Sequence, residues 1–207
     1  MLLAFDAVLL AGGRASRVGG VDKTAFTTRG VTLLSEAVEA ASGAATLVVV
    51  GARDGAVLPA DAISTREDPP WSGPVAALAA GLGAVDDPSP TTLVLACDLP
   101  RASAAVHALR QGRSVSYDTG DGLIALDGDG RRQPLLALYR TAALHDRLDA
   151  LLADGPLAGL SMRRLLDGLD LDEVALDDAL CADVDTPADA ERLGVRPAST
   201  PMSPAAG

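Results

Sequence analysis

The 207-residue chain contains no asparagine, one lysine, two cysteines and only 2% aromatic residues. With so few aromatic side chains, a hydrophobic core has to be built mainly from alanine, valine and leucine. Two cysteines are too few for the disulfide framework of a small secreted protein, so we expect a reducing, cytoplasmic location. No apolar run reaches the roughly 20 residues of a membrane helix, and Asp6 interrupts the apolar start before it resembles a signal peptide.

The formal net charge of −11 argues against a protein that binds nucleic acid nonspecifically. An acidic surface does not exclude anionic small molecules, because salt screens distant charges within about 8–10 Å. A few basic side chains in one loop therefore suffice to attract a phosphate. The chain has such a loop near its start.

The apolar run from Ala7 to Ala11 ends in Gly12-Gly13. The run is typical of a buried parallel strand, and the two glycines allow a tight turn with uncovered backbone N–H groups. Successive N–H groups form a concave anion site, to which Arg14, Arg17 and Lys23 add positive charge. We interpret residues 9–23 as a phosphate-binding loop.

Two common phosphate loops do not match this segment. A Walker loop has glycine directly before the lysine, whereas Asp22 precedes Lys23, and Gly12-Gly13-Arg14 does not fit the G-x-G-x-x-G dinucleotide fingerprint. Lys23 is the only lysine in a chain that otherwise uses arginine. Because an ammonium group is a compact point charge, unlike the flat guanidinium fork, a single retained lysine here indicates a functional role.

Strands and helices are predicted to alternate in the first half of the chain. Apolar runs indicate strands at 4–10, 45–50, 62–66 and 92–97, and helical periodicity indicates helices at 33–42, 74–85 and 102–111. Short connections between such elements favour right-handed crossovers. We therefore predict an α/β fold with three layers around a doubly wound, mostly parallel, Rossmann-like sheet.

The second half is less regular. Candidate strands are 114–118, 123–126, 135–139 and 171–174, with a hairpin turn at 127–130. Helices are predicted at 141–153 and from the Ser161 cap to 166, and Thr186-Pro187 indicates a further helix start. We predict one domain over 1–194 and a disordered tail rich in proline, alanine and serine over 195–207.

Acidic residues follow three of these segments. Asp98 ends a buried strand and is a candidate Mg²⁺ ligand, although it is also a candidate cap for the next helix; Pro100 and Arg101 intervene, which favours the metal. Asp68 is a candidate nucleotide contact or a polar strand end. Asp185, just before Thr186, is a second metal ligand or an acid that interacts with the helix dipole. The predicted strands end at Gly12, Gly51, Asp68 and Asp98, and parallel strands place such ends at one edge of the sheet.

The sequence offers no convincing hydrolase constellation and no general base. Transfer of a nucleotide to a phosphate needs neither, because a phosphate monoester has its second pKa near 6 and is largely ionised at neutral pH. Such a reaction depends on positioning and on stabilisation of negative charge. The loop, a lysine, an arginine and a magnesium ion would supply both.

The chain resembles the molybdenum cofactor guanylyltransferases, the MobA-like nucleotidyltransferases. The resemblance covers nearly all of the chain except the tail. The segment 9–23, with the pattern L-A-G-G-x-x-x-R-x-G-G-x-D-K from Leu10 to Lys23, carries most of it. Further matching segments, in order, are Val48–Gly51, Glu67-Asp68, Ser72–Gly81, Ala96–Asp98, Arg132–Tyr139 and Asp183–Pro187.

The resemblance implies transfer of GMP from GTP to the terminal phosphate of molybdenum cofactor, with Mg²⁺ and release of pyrophosphate. It implies backbone contacts to GTP from Leu10, Ala11, Gly12 and Gly13, and phosphate contacts from Lys23. It also implies a nucleoside contact from Asp68 and a Mg²⁺ contact from Asp98. Physical reasoning adds Arg17 as a phosphate clamp. Molybdoenzymes or cofactor-delivery proteins are the implied protein partners, and neither nucleic acid nor membrane is expected.

Three alternatives remain open at this point. The family often has asparagine after the second strand where this chain has Gly51, and Asp183-Val-Asp185 resembles the cytidylyltransferase branch. A molybdenum cofactor cytidylyltransferase and a sugar-phosphate nucleotidyltransferase of the same fold are therefore rival enzymes. The alternative outside enzymes is a nucleotide-binding docking domain, although Lys23 and Asp98 are both present.

Overall fold

The computed structural model describes residues 4–12, 17–18, 21–112 and 120–197, with the backbone alone for 17–18 and 21–23. The strands are β1 Phe5–Leu10, β2 Arg17–Val18, β3 Val21–Asp22, β4 Phe26–Thr28, β5 Val31–Thr32, β6 Leu47–Val50, β7 Ile63–Thr65, β8 Thr91–Ala96, β9 Gly122–Leu126, β10 Arg132–Arg140, β11 Leu171–Ala175 and β12 Arg196–Pro197. The α-helices are α1 Leu33–Ala40, α2 Pro74–Leu82, α3 Ala102–Gln111, α4 Thr141–Asp154, α5 Met162–Leu166, α6 Asp178–Cys181 and α7 Pro187–Arg192. A 3₁₀ turn covers Lys23–Ala25.

Seven strands form the central sheet, in the order β11-β9-β10-β8-β1-β6-β7. Of the strands that the structure describes in this sheet, only β10 runs against its neighbours; β1 pairs in parallel with β6 and β8, β6 with β7, and β11 with β9. β1 lies inside the sheet, between β8 and β6, and is buried along its whole length. The predicted doubly wound, mostly parallel sheet is confirmed.

Helices cover both faces of the sheet. One face packs against apolar residues of α1 and α3, and the other packs against α2, α4 and α5. The two faces alternate along β1, because Leu9 belongs to the first cluster and Val8 to the second. A satellite cluster of Phe26, Leu33, Val184, Ala190 and Val195 joins the start of α1 to α7. Among the described residues, no helix combines the length and the apolar character required to cross a bilayer.

Asp6, which interrupts the apolar start of the chain, has a structural role. Its carboxylate is 1% exposed and accepts hydrogen bonds from the Ser89 N–H at 2.6 Å, the Ser89 Oγ at 3.0 Å and the Thr46 N–H at 3.1 Å. The group ties the loops before β6 and β8 to β1 at the amino edge of the sheet. A buried carboxylate is tolerated because its oxygens are hydrogen-bonded.

Local signals for turns and caps are confirmed. Asp127 in the β9–β10 turn accepts hydrogen bonds from the N–H groups of Asp129 and Arg131. Ser161 caps α5, and Thr186 and Asp189 form the reciprocal capping box of α7.

The predicted start of the tail at 195 is wrong. Val195 is 3% exposed, its N–H donates to the carbonyl of Ala190 at 2.7 Å, and Arg196–Pro197 pair with β4. An apolar side chain after a short helix packs into the satellite cluster, which composition alone does not reveal. The candidate strand at 114–118 and residues 198–207 lie outside the described residues.

Candidate active site

The carboxyl ends of four adjacent strands form one continuous edge. The ladder extends past the strands themselves: the Ala11 N–H donates to the carbonyl of Val50 at 2.9 Å, and the Cys97 N–H donates to the carbonyl of Leu10 at 3.1 Å. The backbone of Leu10 and Ala11, directly before Gly12, is therefore hydrogen-bonded on both sides. Ligands of such sheets bind at this edge.

Gly12 lies directly against Gly51 at the end of the next strand. A Cβ on Gly51 would lie 2.8 Å from Gly12 Cα, and a Cβ on Gly12 would lie 3.1 Å from Gly51 Cα. Gly51 also has φ +75°, a conformation that favours glycine. Here the two backbones approach so closely that neither position accepts a side chain without movement. This contact explains why a glycine directly follows β6.

Three carboxylates come together beside the end of β8. Asp98, Asp183 and Asp185 each offer an oxygen within 4.8 Å of the others. The Val184 N–H donates to the carbonyl of Asp98 at 3.1 Å, and the Val184 side chain is fully buried. This anchor holds the segment after α6 in place, and the period of two in an extended chain turns both flanking acids the same way.

The donor set of this carboxylate cluster suits a magnesium ion. Mg²⁺ binds oxygen at about 2.1 Å in an octahedron, so two of its ligands lie at most about 4.2 Å apart. Carboxylate oxygens within 4.8 Å of one another need only small side-chain rotations to meet that limit. The N-cap of α3 is Arg101, so Asp98 is not the capping residue that the sequence left open.

Asp68 lies on the other side of the glycine turn. It follows β7, which is three strand positions from β8, a distance of roughly 14 Å at ordinary strand spacing. Asp68 is exposed and is not part of the carboxylate cluster. Of the three predicted acidic site residues, the structure therefore brings Asp98 and Asp185 together and leaves Asp68 apart.

A cavity of about 790 Å³ opens near the start of β10. Because β10 is antiparallel, its first residues lie at the carboxyl edge: Leu136 pairs with Leu95, and Pro134 continues beyond it. Three arginines and one aspartate are among the lining residues, which are Arg132, Pro134, Ser161, Arg163, Arg164, Leu166, Asp167, Gly168 and Leu169. The cavity is thus locally basic in an acidic protein. Its volume suits a small organic ligand.

A bulge in β10 shapes this cavity. The pairing with β9 shifts between Gln133 and Ala137, and the Tyr139 hydroxyl donates to the carbonyl of Pro134 at 2.8 Å within the bulge. Tyr139 is fully buried, and burial raises the pKa of its phenol well above the usual range. The phenol therefore remains a neutral donor that holds Pro134 in the cavity wall.

The remaining predicted site residues belong to the phosphate loop. Leu10 and Ala11 are buried, and Gly12 is exposed at the end of β1. Arg17 begins a short β2–β3 hairpin, and Lys23 begins the 3₁₀ turn that follows it. Their side chains, and the whole of Gly13, lie outside what the structure describes.

Sequence reasoning missed two parts of the site. Asp183 was not among the predicted metal ligands, although its spacing from Asp185 was the available signal. The arginine-lined cavity was not predicted, because its walls come from β10 and α5, which are distant in sequence.

The contact between Gly12 and Gly51 and the carboxylate cluster, both at the carboxyl edge of a doubly wound sheet, are typical of α/β enzymes that act on nucleotides. Residues 7–174 match the MobA-like NTP transferase domain family. The chain belongs to that family of nucleotidyltransferases.

Individual relatives agree with this assignment. The chain is 30% identical over 158 residues to a molybdenum cofactor guanylyltransferase of Shewanella amazonensis, covering 75% of this chain and 78% of the relative. A probable molybdenum cofactor guanylyltransferase of Chloroflexus aggregans is 34% identical over 149 residues, covering 69% and 68%. The fold is similar to the crystal structure of Rv0371c from Mycobacterium tuberculosis, with a TM-score of 0.70 and 20% identity over 92% of this chain and 97% of that one.

Proposed function

We propose that the protein transfers GMP from GTP to the terminal phosphate of molybdenum cofactor and releases pyrophosphate. The observation that carries this proposal is the carboxylate cluster of Asp98, Asp183 and Asp185 at the same sheet edge as the glycine turn. The names of the curated relatives support the choice of GTP and of the acceptor. We also propose that the reaction takes place in the cytoplasm. The protein would contact molybdoenzymes or cofactor-delivery proteins there.

In this proposal the GTP phosphates bind at the glycine turn. Uncovered N–H groups after β1 hold them, with Lys23 and Arg17 as the cationic side chains. Asp68, on the far side of the turn, contacts the nucleoside, because the roughly 14 Å to β8 allows one nucleotide to span the two sites. The contact between Gly12 and Gly51 keeps the floor between these sites free of side chains.

Asp98, Asp183 and Asp185 would hold the Mg²⁺ ion. The ion supplies charge neutralisation for the phosphates when bound. The carboxylate oxygens of this chain fix where that charge lies, and the buried Val184 between two of them keeps the segment rigid.

The arginine-lined cavity is the proposed acceptor site. Arg132, Arg163 and Arg164 line one volume at the carboxyl edge, and arginine is well suited to bind a phosphate. The Arg164 guanidinium also lies 3.8 Å from Asp167 and 4.0 Å from Asp154. Arg132 also donates to Glu173 at 2.7 Å, which orients its side chain. An ionised acceptor phosphate needs no general base, so the task of the cavity is to align it with the α-phosphate of GTP.

The single lysine makes a direct test possible. Reductive alkylation of the protein with formaldehyde and a hydride donor modifies only Lys23 and the chain's N-terminal amine. We expect GTP with Mg²⁺ to protect Lys23 from modification, as measured by peptide mass spectrometry, while the terminal amine reacts as before. The terminal amine serves as the internal control.

Two variants accompany this test. Lys23→Ala should weaken GTP binding at least tenfold in calorimetry, and Lys23→Arg should restore only part of the affinity, because the guanidinium fork replaces a compact charge. Protection of Lys23 by CTP but not by GTP would transfer the assignment to the cytidylyl branch. If no nucleotide protects Lys23 in the folded protein, the proposed function fails.

A further inference from the structure

The only tryptophan of the chain has an unusual backbone and an exposed side chain. Trp71 has φ +63° and is 57% exposed. Among the described residues, the other non-glycine residue with positive φ is Arg29, which lies in a turn before Gly30. A positive φ is a genuine outlier for a bulky residue, and such outliers cluster at functional sites. Burial does not explain Trp71, because most of its side chain faces solvent.

Hydrogen bonds hold the loop in this conformation. The Trp71 N–H donates to Glu67 Oε1 at 2.9 Å, and Glu67 is only 8% exposed. The Ser72 hydroxyl donates to the carbonyl of Pro69 at 2.5 Å. The conformation therefore depends on neighbouring groups and not on the tryptophan side chain itself.

The loop lies beside the wall of the arginine-lined cavity. The carbonyl of Ser72 accepts a hydrogen bond from the Gly159 N–H at 2.7 Å, and the Leu160 carbonyl lies 3.8 Å from a Cβ built on Gly73. Ser161, the next residue along, lines the cavity. A backbone hydrogen bond thus joins the residue after Trp71 to the segment that leads into the wall of the proposed acceptor site.

We propose that the Trp71 indole stacks on the planar heterocycle of the acceptor whose phosphate binds in the arginine-lined cavity. This inference rests on the proposed function. An indole offers a broad, flat, apolar face at little cost in side-chain flexibility, and stacking on a heterocyclic ring is its usual contribution to nucleotide-like ligands. The loop supplies orientation, and the cavity supplies the anchor for the phosphate.

The position of Trp71 allows a variant that separates binding from stability. Trp71→Gly removes the ring, and glycine adopts positive φ freely, so we expect a Tm no lower than that of wild type. Trp71→Phe keeps an aromatic face. Val57→Ala, at a side chain that is 87% exposed and not implicated in the site, is the matched control for loss of a surface apolar group.

Steady-state transfer kinetics provide the first readout. In Trp71→Gly we expect KM for the acceptor to rise about tenfold or more while KM for GTP stays within twofold. In Trp71→Phe, KM for the acceptor and KM for GTP should both stay within about threefold of the wild-type values. In Val57→Ala both should equal the wild-type values. An unchanged acceptor KM in Trp71→Gly, or a rise in KM for GTP instead, would overturn the proposal.

Fluorescence provides a readout that does not depend on turnover. Neopterin monophosphate, a pterin that carries a phosphate, should quench Trp71 emission saturably, after correction for its absorbance with free N-acetyltryptophanamide. GTP should leave the emission unchanged. Absence of saturable quenching overturns the stacking proposal.

The two proposals fail in different ways. Protection of Lys23 by GTP together with an absence of quenching and an unchanged acceptor KM refutes stacking alone. Absence of any nucleotide binding refutes the proposed function, whatever Trp71 does.

Discussion

Substitution of Gly51 by alanine tests the contact between the two glycine backbones. Alanine at φ +75° costs about 1–2 kcal/mol, and its Cβ would lie 2.8 Å from Gly12 Cα. Relief of that overlap requires backbone movement, which adds about 1–3 kcal/mol, as in overpacked cores. For a chain of this size, the overlap alone corresponds to a loss of about 2–12 °C in Tm. Because the movement falls on Gly12, GTP binding should weaken by at least about tenfold.

Gly55→Ala is the matched control. Gly55 has φ +77°, nearly the same conformation, and a Cβ there meets nothing within 4 Å. Gly55→Ala should lose the stability that a positive φ costs an alanine, without the further loss caused by overlap. Its affinity for GTP should not change. The assays are thermal unfolding and calorimetric titration with GTP. Equal losses of Tm in the two variants, with unchanged GTP affinity in Gly51→Ala, would refute the role assigned to this contact.

Two further predictions concern groups whose pKa is raised. Tyr139→Phe removes the hydrogen bond to the half-buried carbonyl of Pro134. We expect the free energy of unfolding, measured in urea, to fall by about 0.5–1.5 kcal/mol. KM for the acceptor should rise while KM for GTP stays unchanged, and an equal rise in both would contradict a role confined to the cavity. Burial, reinforced by Asp127, Asp178 and Asp177, raises the pKa of the Cys181 thiol to about 11. Iodoacetamide at pH 8 should therefore modify Cys181 in the folded protein about 100-fold more slowly than in the unfolded protein. Equal rates in the two states would refute a raised pKa for this thiol.

The fold was predictable where the signal is local. Buried strands and amphipathic helices alternate along the first half, and α3 was predicted at its observed bounds of 102–111. Asp127 and Thr186 fixed a turn and a cap through hydrogen bonds to residues within four positions of each. The error at Val195 arises because its burial depends on Phe26 and Leu33, which are far away in sequence.

The site was predictable only in part, for the same reason. The glycine loop and Asp98 directly follow buried strands. Their position at the carboxyl edge of the sheet therefore follows from the strand prediction. The approach of Asp183 to Asp98 depends instead on one long-range hydrogen bond from Val184 and on the burial of its side chain. The cavity depends on a bulge in β10, whose local signal is Pro134, because a proline inside a strand cannot donate to the ladder.

The most direct test of the proposed function is transfer of label from [α-³²P]GTP to purified molybdenum cofactor. We expect transfer that requires a divalent cation, prefers GTP over CTP and ATP, and falls about 100-fold or more in Asp98→Asn. Asp149→Asn, a change to an exposed residue of α4, is the control and should retain wild-type transfer. Undiminished transfer by Asp98→Asn, or transfer of CMP in preference to GMP, would contradict the account.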